Sequence, residues 1–589
     1  MTDVKDDKIK KHIKDAVCAF FTTWALQRIF SVGPGNIMIL ILFILLVSLY
    51  SGLKECTDRR GAVCSYITAG IFSVLYTAYD LADMTGDLKS GFFRALIGAA
   101  AAAGLFILFQ KLLGALYGYI EDKSSGRLVF GDSQAFVSSH LFRIVFIACF
   151  LCMIPCFLYE YPGIMTPDSI NQLKQVIGVS PFSNHHPFVH TMLIALFYKP
   201  AYAITHSMTA AVGCYTLAQM FIMALTAAYC TDTLNRLNAR KWVIIAAAVF
   251  YAAVPYNWVY AVSVWKDVLF AAAVLIYGAS LLRIFYLQEK KAYVLQFAGC
   301  LGMALLRSNG WLMFLGMLPF MAVWFRSYKK QRYAGRLLTV WMLAFIVAAI
   351  VRYPLFAALK VVQPDLIESC SIPAQQIAYV FATEKDIPEE DRGLVNRVAD
   401  TEYINKLYAP GYADNIKELV RAGDEGYLTE HKGQFLALWV RLGLKYPGDY
   451  LKAYGDMTYG YWFPDRSYTA ADNEGISENE LGLTRHSLIS AGIFLKLQEI
   501  QIKLGNMVPL YSALWCMGTI VWICAAGLGG MIVQKRFRDI MAVLPGFIGI
   551  LTVLIATPVA YDFRYLYFLI YSFPLYLTVF SGSPEVHRS

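Results

Sequence analysis

Apolar runs of roughly 17 to 25 residues recur along almost the whole chain, and short polar stretches separate them. A helix of that length crosses a hydrocarbon core of about 30 Å. The pattern therefore predicts an all-α polytopic membrane protein with about 14 spans. The predicted spans are 16–33, 36–53, 63–79, 92–117, 141–159, 208–230, 242–262, 267–286, 292–306, 311–325, 337–358, 508–532, 539–558 and 564–581.

Basic clusters between the runs predict which side each loop faces, because cytoplasmic loops carry an excess of Lys and Arg. The clusters "NRLNARK", "LQEKKAY", "RSYKKQRYAGR" and "QKRFRD" fall on one side if the apolar run 188–206 does not cross. We therefore expect that run to lie as a helix in the outer interface. The chain is then a multi-pass cell-membrane protein whose polar loop 160–207 faces away from the cytoplasm.

Polar composition divides the chain into four predicted domains. The first, 1–140, is a four-span extension, and 141–358 is a transmembrane core with 160–207 as its first outer loop. The segment 359–507 has helical periodicity and predicts a helical extracytoplasmic domain. Residues 508–589 supply the spans that complete the core.

Composition narrows the class further. The chain is 58% hydrophobic and 16% charged, against about 25% charged in soluble proteins. Its net charge of +9 fits the basic loops of a membrane protein and does not indicate nucleic acid. Most of the 12 cysteines lie inside apolar spans, "CFLCMIPC" among them, where cysteine behaves as a small hydrophobe, so no disulfide framework is expected.

The first outer loop carries two carboxylates. Asp168 lies in "YPGIMTPDSINQ", where Pro167 opens a helix, so it is either a helix cap or a carboxylate that orients or deprotonates an attacking hydroxyl. Glu160 ends the preceding span and is a candidate for substrate positioning. The sequence predicts Asp168 as the catalytic residue.

Histidines follow in "SNHHPFVH", where His185 and His186 are adjacent and His190 is four residues beyond His186. Zinc needs three or four ligands in tetrahedral geometry, and the other outer loops offer few more histidines. A divalent metal is therefore not favoured, and no metal site is predicted. His185 and His186 are instead candidates for substrate positioning.

Four cations are predicted to reach the same face from distant parts of the chain: Lys266, Arg307, Arg352 and Arg564. Snorkelling or mutual ion pairing explains each one singly. Together they suit the phosphate of a lipid headgroup, since Arg binds phosphate in a bidentate manner and Lys supplies a point charge. Asn309, beside Arg307, is a further candidate for substrate positioning.

Aromatic residues are dense in the predicted outer domain. Tyr461 and Trp462 could stack on the faces of a sugar, or they could form part of that domain's core. No Walker A motif, GxSxG elbow, HExxH motif or kinase motif set occurs in the chain. Without a nucleotide site, a transfer reaction would draw its energy from an activated lipid such as a lipid-linked phosphosugar.

These motifs resemble the GT-C superfamily of membrane glycosyltransferases. "YPGIMTPDS" with "NHHPFVHT" is similar to that superfamily's first outer loop, and "SVWKDVLF", "LLRSNGW", "SIPAQQIA" and "DFRYLYF" are similar to an uncharacterised bacterial branch. The resemblance covers about residues 141–581. It implies a polyprenyl-phosphate sugar as donor, an extracytoplasmic acceptor and Asp168 at the catalytic acid position.

Two features depart from the superfamily pattern. Four predicted spans precede the core, and the acid stands alone in Asp168-Ser169-Ile170, without the second acid that many members carry. The lone acid favours a metal-independent mechanism without a cofactor, and inversion follows if the acceptor attacks the anomeric centre directly. Two other functions remain open: a glycan polymerase or ligase that uses lipid pyrophosphate donors, and a transporter or flippase for a lipid-linked glycan.

Overall fold

The computed structural model describes residues 2–54, 56, 58–86, 88, 90–121, 129–130, 140–464, 470, 474–490, 492–556, 559 and 562–584, with side chains from residue 9 onward except at 493. Throughout these residues the chain is helical, and extended pairing occurs only as isolated bridges. The predicted all-α class is confirmed. The boundary predicted at residue 140 adjoins residues 131–139, which lie outside the described part of the chain.

Four helices form the N-terminal unit: α1 (Thr2–Ile29), α2 (Ile37–Gly52), α3 (Arg59–Thr85) and α4 (Gly91–Glu121). α1 and α3 both pack along α4. The unit joins the rest of the molecule through aromatic contacts, because Phe72 on α3 stacks on Trp522 with ring centroids 3.9 Å apart. The Tyr117 hydroxyl on α4 donates a hydrogen bond to the Ala526 carbonyl at 3.1 Å.

Eleven further helices precede the segment 359–507. They are α5 (Leu141–Tyr159), α6 (Pro167–Val176), α7 (Phe188–Thr205), α8 (Met208–Arg236), α9 (Lys241–Ala253), α10 (Pro255–Val262), α11 (Lys266–Leu282), α12 (Ala292–Leu305), α13 (Ser308–Tyr328), α14 (Ala334–Ile350) and α15 (Phe356–Ala358). π-helical turns extend α11 to Leu287 and join α14 to α15. α11 lies at the centre of the bundle, because nearly all of its side chains are buried.

The segment that follows contains short helices with their own apolar core. They are α16 (Ser371–Ala382), α17 (Glu389–Asn396), α18 (Thr401–Leu407), α19 (Asp414–Ala422), α20 (Glu425–Glu430), α21 (Lys432–Lys445), α22 (Pro447–Trp462) and α23 (Gly492–Met507). The core formed by α16 to α21 and the start of α22 is separate from that of the bundle and includes Val380, Leu438 and Leu442, whereas Phe494 on α23 belongs to the core of the bundle. The chain then returns to the bundle as α24 (Met517–Val533), α25 (Phe537–Ala556) and α26 (Tyr567–Ser581).

Nine helices in the described residues are long and apolar enough to cross a membrane, or ten if the bent pair α9 and α10 forms one span. These helices indicate a membrane protein. Four predicted spans are not among these helices. The span 16–33 extends four residues beyond the end of α1, and 36–53, 292–306 and 508–532 correspond to helices of 16, 14 and 17 residues. At a rise of 1.5 Å per residue these are shorter than a hydrocarbon core of about 30 Å. The count of 14 stays a prediction.

Candidate functional site

Asp168 and Lys266 are brought together by backbone pairing between two loops that are distant in sequence. The Ile164 amide donates to the Val262 carbonyl at 3.0 Å, and the Val264 amide donates to the Ile164 carbonyl at 2.9 Å. Gly163 permits this approach, because its φ is +146° and a Cβ there would lie 2.6 Å from Thr216 Oγ1. The pairing sets the start of α6 beside the start of α11.

Lys266, His186 and Arg564 surround the carboxylate of Asp168. Its Oδ2 lies 3.4 Å from Lys266 Nζ, 3.4 Å from Arg564 Nη1 and 4.0 Å from His186 Nδ1. The Asp168 side chain is 31% exposed, whereas those of Lys266 and Arg564 are 17% exposed. We call these four residues the Asp168 cluster. Its carboxylate is partly open and its contacts are long for charge-assisted hydrogen bonds.

Arg564 has further contacts besides the one with Asp168. Its Nε lies 2.7 Å from Asp562 Oδ2, and its guanidinium lies 5.4 Å from the centroid of the Trp265 ring. The Trp265 indole in turn donates to Thr166 Oγ1 at 3.0 Å. The start of α26 is therefore tied to the loops that open α6 and α11.

Charge and burial set the protonation of the cluster. Burial alone would raise the pKa of Asp168, but the positive charges of Lys266 and Arg564 outweigh it and hold that pKa well below its usual range. Burial and the neighbouring Lys266 lower the pKa of His186 to about 2. At neutral pH Asp168 is ionised and His186 is neutral. Lys266 Nζ lies 3.2 Å from His186 Nδ1, so this nitrogen accepts and Nε2 carries the proton.

Arg307 and Asn309 form their contacts inside the bundle. Arg307 Nε lies 3.0 Å from Asp267 Oδ1, and its Nη1 donates to the Tyr565 carbonyl at 2.9 Å. Asp267 follows Lys266, so the Arg307 pair adjoins the Asp168 cluster. Asn309 donates from Nδ2 to Thr552 Oγ1 at 3.0 Å and so fixes α13 to α25.

Arg352 lies apart from these pairs. Its guanidinium lies 5.7 Å from the centroid of the Trp311 ring. Within the described residues it contacts no carboxylate. Val351 next to it packs on Phe188, which follows the two adjacent histidines. Arg352 is thus a cation with its charge uncompensated by a local acid.

The loop with the histidines connects the bundle to the start of the segment 359–507. The Asn184 amide donates to the Val362 carbonyl, and the Val362 amide donates to the Phe182 carbonyl, each at 2.8 Å. His185 lies against His186 with ring centroids 4.7 Å apart. The structure therefore places both predicted histidines at this junction, with His186 buried and His185 partly exposed.

Glu160 has a different set of partners. It is 3% exposed, accepts the Gly475 amide at 2.7 Å and lies 3.2 Å from Arg485 Nη1. Burial raises its pKa despite these partners. The segment 474–488 also bonds to Met165 and Tyr161 through backbone groups, so it runs along the loop that precedes Asp168. Glu160 anchors this segment and has no direct contact with the Asp168 cluster.

Tyr461 and Trp462 both point into packed regions. Tyr461 is fully buried, and its hydroxyl donates to the Val559 carbonyl at 2.7 Å. The Trp462 indole donates to Thr458 Oγ1 at 3.1 Å, and its ring lies edge-on to Tyr79. Between the two readings that the sequence left open, these contacts favour core packing over sugar stacking.

Buried polar residues that sequence reasoning did not assign hold the site in place. His190 Nδ1 lies 2.9 Å from Gln172 Oε1, and its Nε2 lies 2.8 Å from the Tyr215 hydroxyl. Gln219 extends the network by donating to the Ser263 carbonyl at 2.6 Å. In the sequence, the position of His190 four residues after His186 was the signal that could have indicated this network. Among the described residues, no group of three His, Cys, Asp or Glu side chains has the geometry to hold a metal ion.

Comparison with known proteins identifies the family. No curated protein and no solved structure matches the chain. A model of a family of unknown function, DUF6020, matches residues 178–588. The match includes His186, Lys266 and Arg564, while Asp168 lies ten residues before it. The chain therefore belongs to DUF6020.

Proposed function

We propose that this protein is a membrane glycosyltransferase that moves a sugar from a polyprenyl-phosphate donor to an extracytoplasmic acceptor in the cell envelope. The observation that carries the proposal is the Asp168 cluster, in which a partly exposed carboxylate shares two cations at 3.4 Å. Hydroxyl attack needs a carboxylate, and phosphate departure needs cations. Both lie within a single site here.

In the proposed reaction the acceptor hydroxyl attacks the anomeric carbon, and the bond from that carbon to the phosphate oxygen breaks. The hydroxyl proton passes to Asp168, and polyprenyl phosphate leaves with the electron pair. One in-line displacement inverts the anomeric centre. Lys266 and Arg564 stabilise the charge on the departing phosphate, and His186 Nε2 donates to a substrate oxygen.

Substrate binding changes the basicity of Asp168 in this mechanism. In the free protein the two cations hold its pKa well below the usual range, which makes it a poor proton acceptor. A bound phosphate offsets the charges of Lys266 and Arg564, so the pKa of Asp168 rises. Asp168 therefore becomes an effective base only when a donor is present.

The mechanism needs no metal and no other cofactor. Asp168 Oδ2 lies 3.4 Å from both Lys266 Nζ and Arg564 Nη1. Two positive charges so close to Asp168 repel a metal cation and oppose its binding there. We infer that these side chains perform the role that a metal has in other phosphate-departure reactions.

The membrane placement follows from charge. We propose about 14 crossings in a GT-C-like arrangement, with α2, α12 and α24 spanning beside the longer helices. Lys266 begins α11, and Arg283 follows its other end. The basic loops 235–241 and 534–539 belong to the Arg283 end, as the contacts of Arg283 with Asp232 and of Tyr286 with Asp539 indicate. The positive-inside rule then puts the Asp168 cluster on the extracytoplasmic side.

Depth favours transfer over transport of a lipid-linked glycan. Transporter sites lie near the bilayer midplane, between broken helices. Lys266 is instead the first residue of α11, Arg564 precedes α26 and Asp168 is the second residue of α6. A polymerase or ligase that uses a pyrophosphate donor would need the cations and not the carboxylate, so a requirement for Asp168 separates it from the transferase.

The test incubates the purified full chain in lipid nanodiscs with a panel of polyprenyl-phosphate sugars and measures release of free polyprenyl phosphate. We expect one donor to turn over and Asp168→Asn to lower its rate by about 100-fold or more, the usual contribution of a general base. Glu418→Gln, on an outer-domain carboxylate that is 67% exposed, is the matched control. Undiminished turnover by Asp168→Asn would refute the mechanism.

A further inference from the structure

A second site of different character lies away from the Asp168 cluster. An apolar groove of about 870 Å³ runs between α4, α9, α24 and α26, and Phe250, Leu514, Ile523 and Pro574 contribute to its walls. Ligand pockets in proteins occupy roughly 300–1,000 Å³. The groove is therefore large enough for a ligand, and the ligand must be mostly apolar.

One end of the groove is positively charged. Arg240 lies at that end, is exposed, and has no carboxylate partner in the part of the chain that the structure describes. Trp242 and Tyr119, also on the groove, are 58% and 48% exposed. Tyr and Trp are enriched at the level of lipid headgroups. A cation flanked by such aromatics complements the phosphate of a lipid.

The length of the groove fits a lipid tail. Arg240 precedes α9 and Phe250 lies ten residues later, which spans about 15 Å at 1.5 Å per residue. Half of a hydrocarbon core of about 30 Å is the same distance. An acyl chain whose phosphate contacts Arg240 would therefore end near Phe250, at the bilayer midplane.

We propose that this groove binds one anionic phospholipid, with its phosphate on Arg240 and its acyl chains against α9 and α26. Leu116, Tyr119 and Ile120 in the groove wall belong to the N-terminal unit and Val129 follows that unit, whereas the other wall residues belong to the part of the chain that the family model covers. The lipid therefore joins the two parts. This proposal does not depend on the transferase activity.

The test titrates delipidated full-length protein with phosphatidylglycerol or phosphatidylcholine and counts bound lipids by native mass spectrometry. We expect one phosphatidylglycerol to bind more tightly than phosphatidylcholine. Arg240→Gln should weaken phosphatidylglycerol binding about fivefold, since a Lys or Arg at the membrane surface contributes about 1 kcal/mol. Ala246→Trp, on the groove wall, should weaken both lipids.

Lys330→Gln is the matched control, because it removes an exposed cation from another basic loop, outside the groove. It should bind phosphatidylglycerol as the wild type does. Equal affinity of the wild type for the two lipids would overturn the proposal. So would unchanged binding in Arg240→Gln, or preferential retention of polyprenyl phosphate. If Ala246→Trp fails to fold, the surface substitution at Arg240 still decides the question.

Discussion

α11 begins and ends in a group of charges, and the two groups differ in geometry. At its start, Asp168 lies 3.4 Å from Lys266 and 3.4 Å from Arg564, and the carboxylate is 31% exposed. At its end, Arg283 lies 2.7 Å from Asp232 and 3.2 Å from Glu289, and the guanidinium is 4% exposed. Arg283 also donates to Thr233 Oγ1 at 2.7 Å and stacks on Tyr229.

The difference separates a structural group from a reactive one. Arg283 offers five donors, and its contacts to Asp232, Glu289, Thr233 and a backbone carbonyl use most of them. Little capacity is left for a ligand. Asp168 is ionised and its side chain is 31% exposed. Lys266 and Arg564 lie 3.4 Å from it, which leaves room for closer contact. Perturbed titratable groups that remain accessible are typical of functional sites.

The largest expected effect is on stability at the Arg283 end. Arg283→Met leaves Asp232 and Glu289 without a buried partner, so the free energy of unfolding should fall by about 3–5 kcal/mol. Chemical unfolding in detergent measures it. Arg236→Met removes a cation that also pairs with Asp232 but is 53% exposed, and should cost under about 1 kcal/mol. Equal losses would show that the buried Arg283 contributes no more to stability than the exposed Arg236.

Lowering the pH should destabilise the folded protein through the buried histidines near Asp168. The pKa of His186 is lowered to about 2 in the folded protein and is about 6.5 when unfolded. Below about pH 6.5 the unfolded state therefore binds a proton that the folded state does not, and stability falls as pH falls. At pH 5 the loss is about 2 kcal/mol for this histidine.

Thermal unfolding at pH 7 and pH 5 tests this. His186→Gln should flatten the pH dependence, and His190, whose pKa burial lowers to about 3, should retain part of it. His140→Gln, at an exposed position, should leave the slope of the wild type. A slope in His186→Gln as steep as in the wild type would contradict a neutral, buried His186.

Asp168→Asn should lower the free energy of unfolding by less than Arg283→Met does, because its ion pairs are 3.4 Å long and its side chain is 31% exposed. Asp232→Asn, whose Oδ2 lies 2.7 Å from Arg283 Nη2, should lose more. The same unfolding assay compares them. A large loss in Asp168→Asn would assign that residue to the structure of the fold and would weaken its catalytic role.

Chelation should have the smallest effect. Because Lys266 and Arg564 occupy the positions around Asp168 Oδ2, we expect donor turnover to be unchanged after treatment with EDTA. The release assay, with and without added Mg²⁺, checks it. Loss of turnover in EDTA with recovery in Mg²⁺ would replace the cation-based mechanism with a metal-assisted one.

The candidate site was partly predictable from sequence. Ionisable residues at the ends of apolar runs are costly, so Asp168, Lys266 and Arg564 stood out as candidates without any coordinates. The structure brings these three together, whereas Arg307 pairs with Asp267 and Arg352 lies against Trp311. Glu160 and Tyr461 had similar signals, yet their partners are Arg485 and the Val559 carbonyl. Such pairings join residues more than 90 positions apart, and no local pattern encodes them.

The apolar runs of the sequence are enough to predict a helical chain that enters the membrane repeatedly, because such runs must satisfy their backbone hydrogen bonds internally in lipid. Which polar residues meet depends on tertiary packing. The pairing of 164 with 262–264 sets Asp168 beside Lys266, and the packing of α26 on α11 brings Arg564 to both. Charges at span ends have many candidate partners in sequence, and packing geometry selects among them.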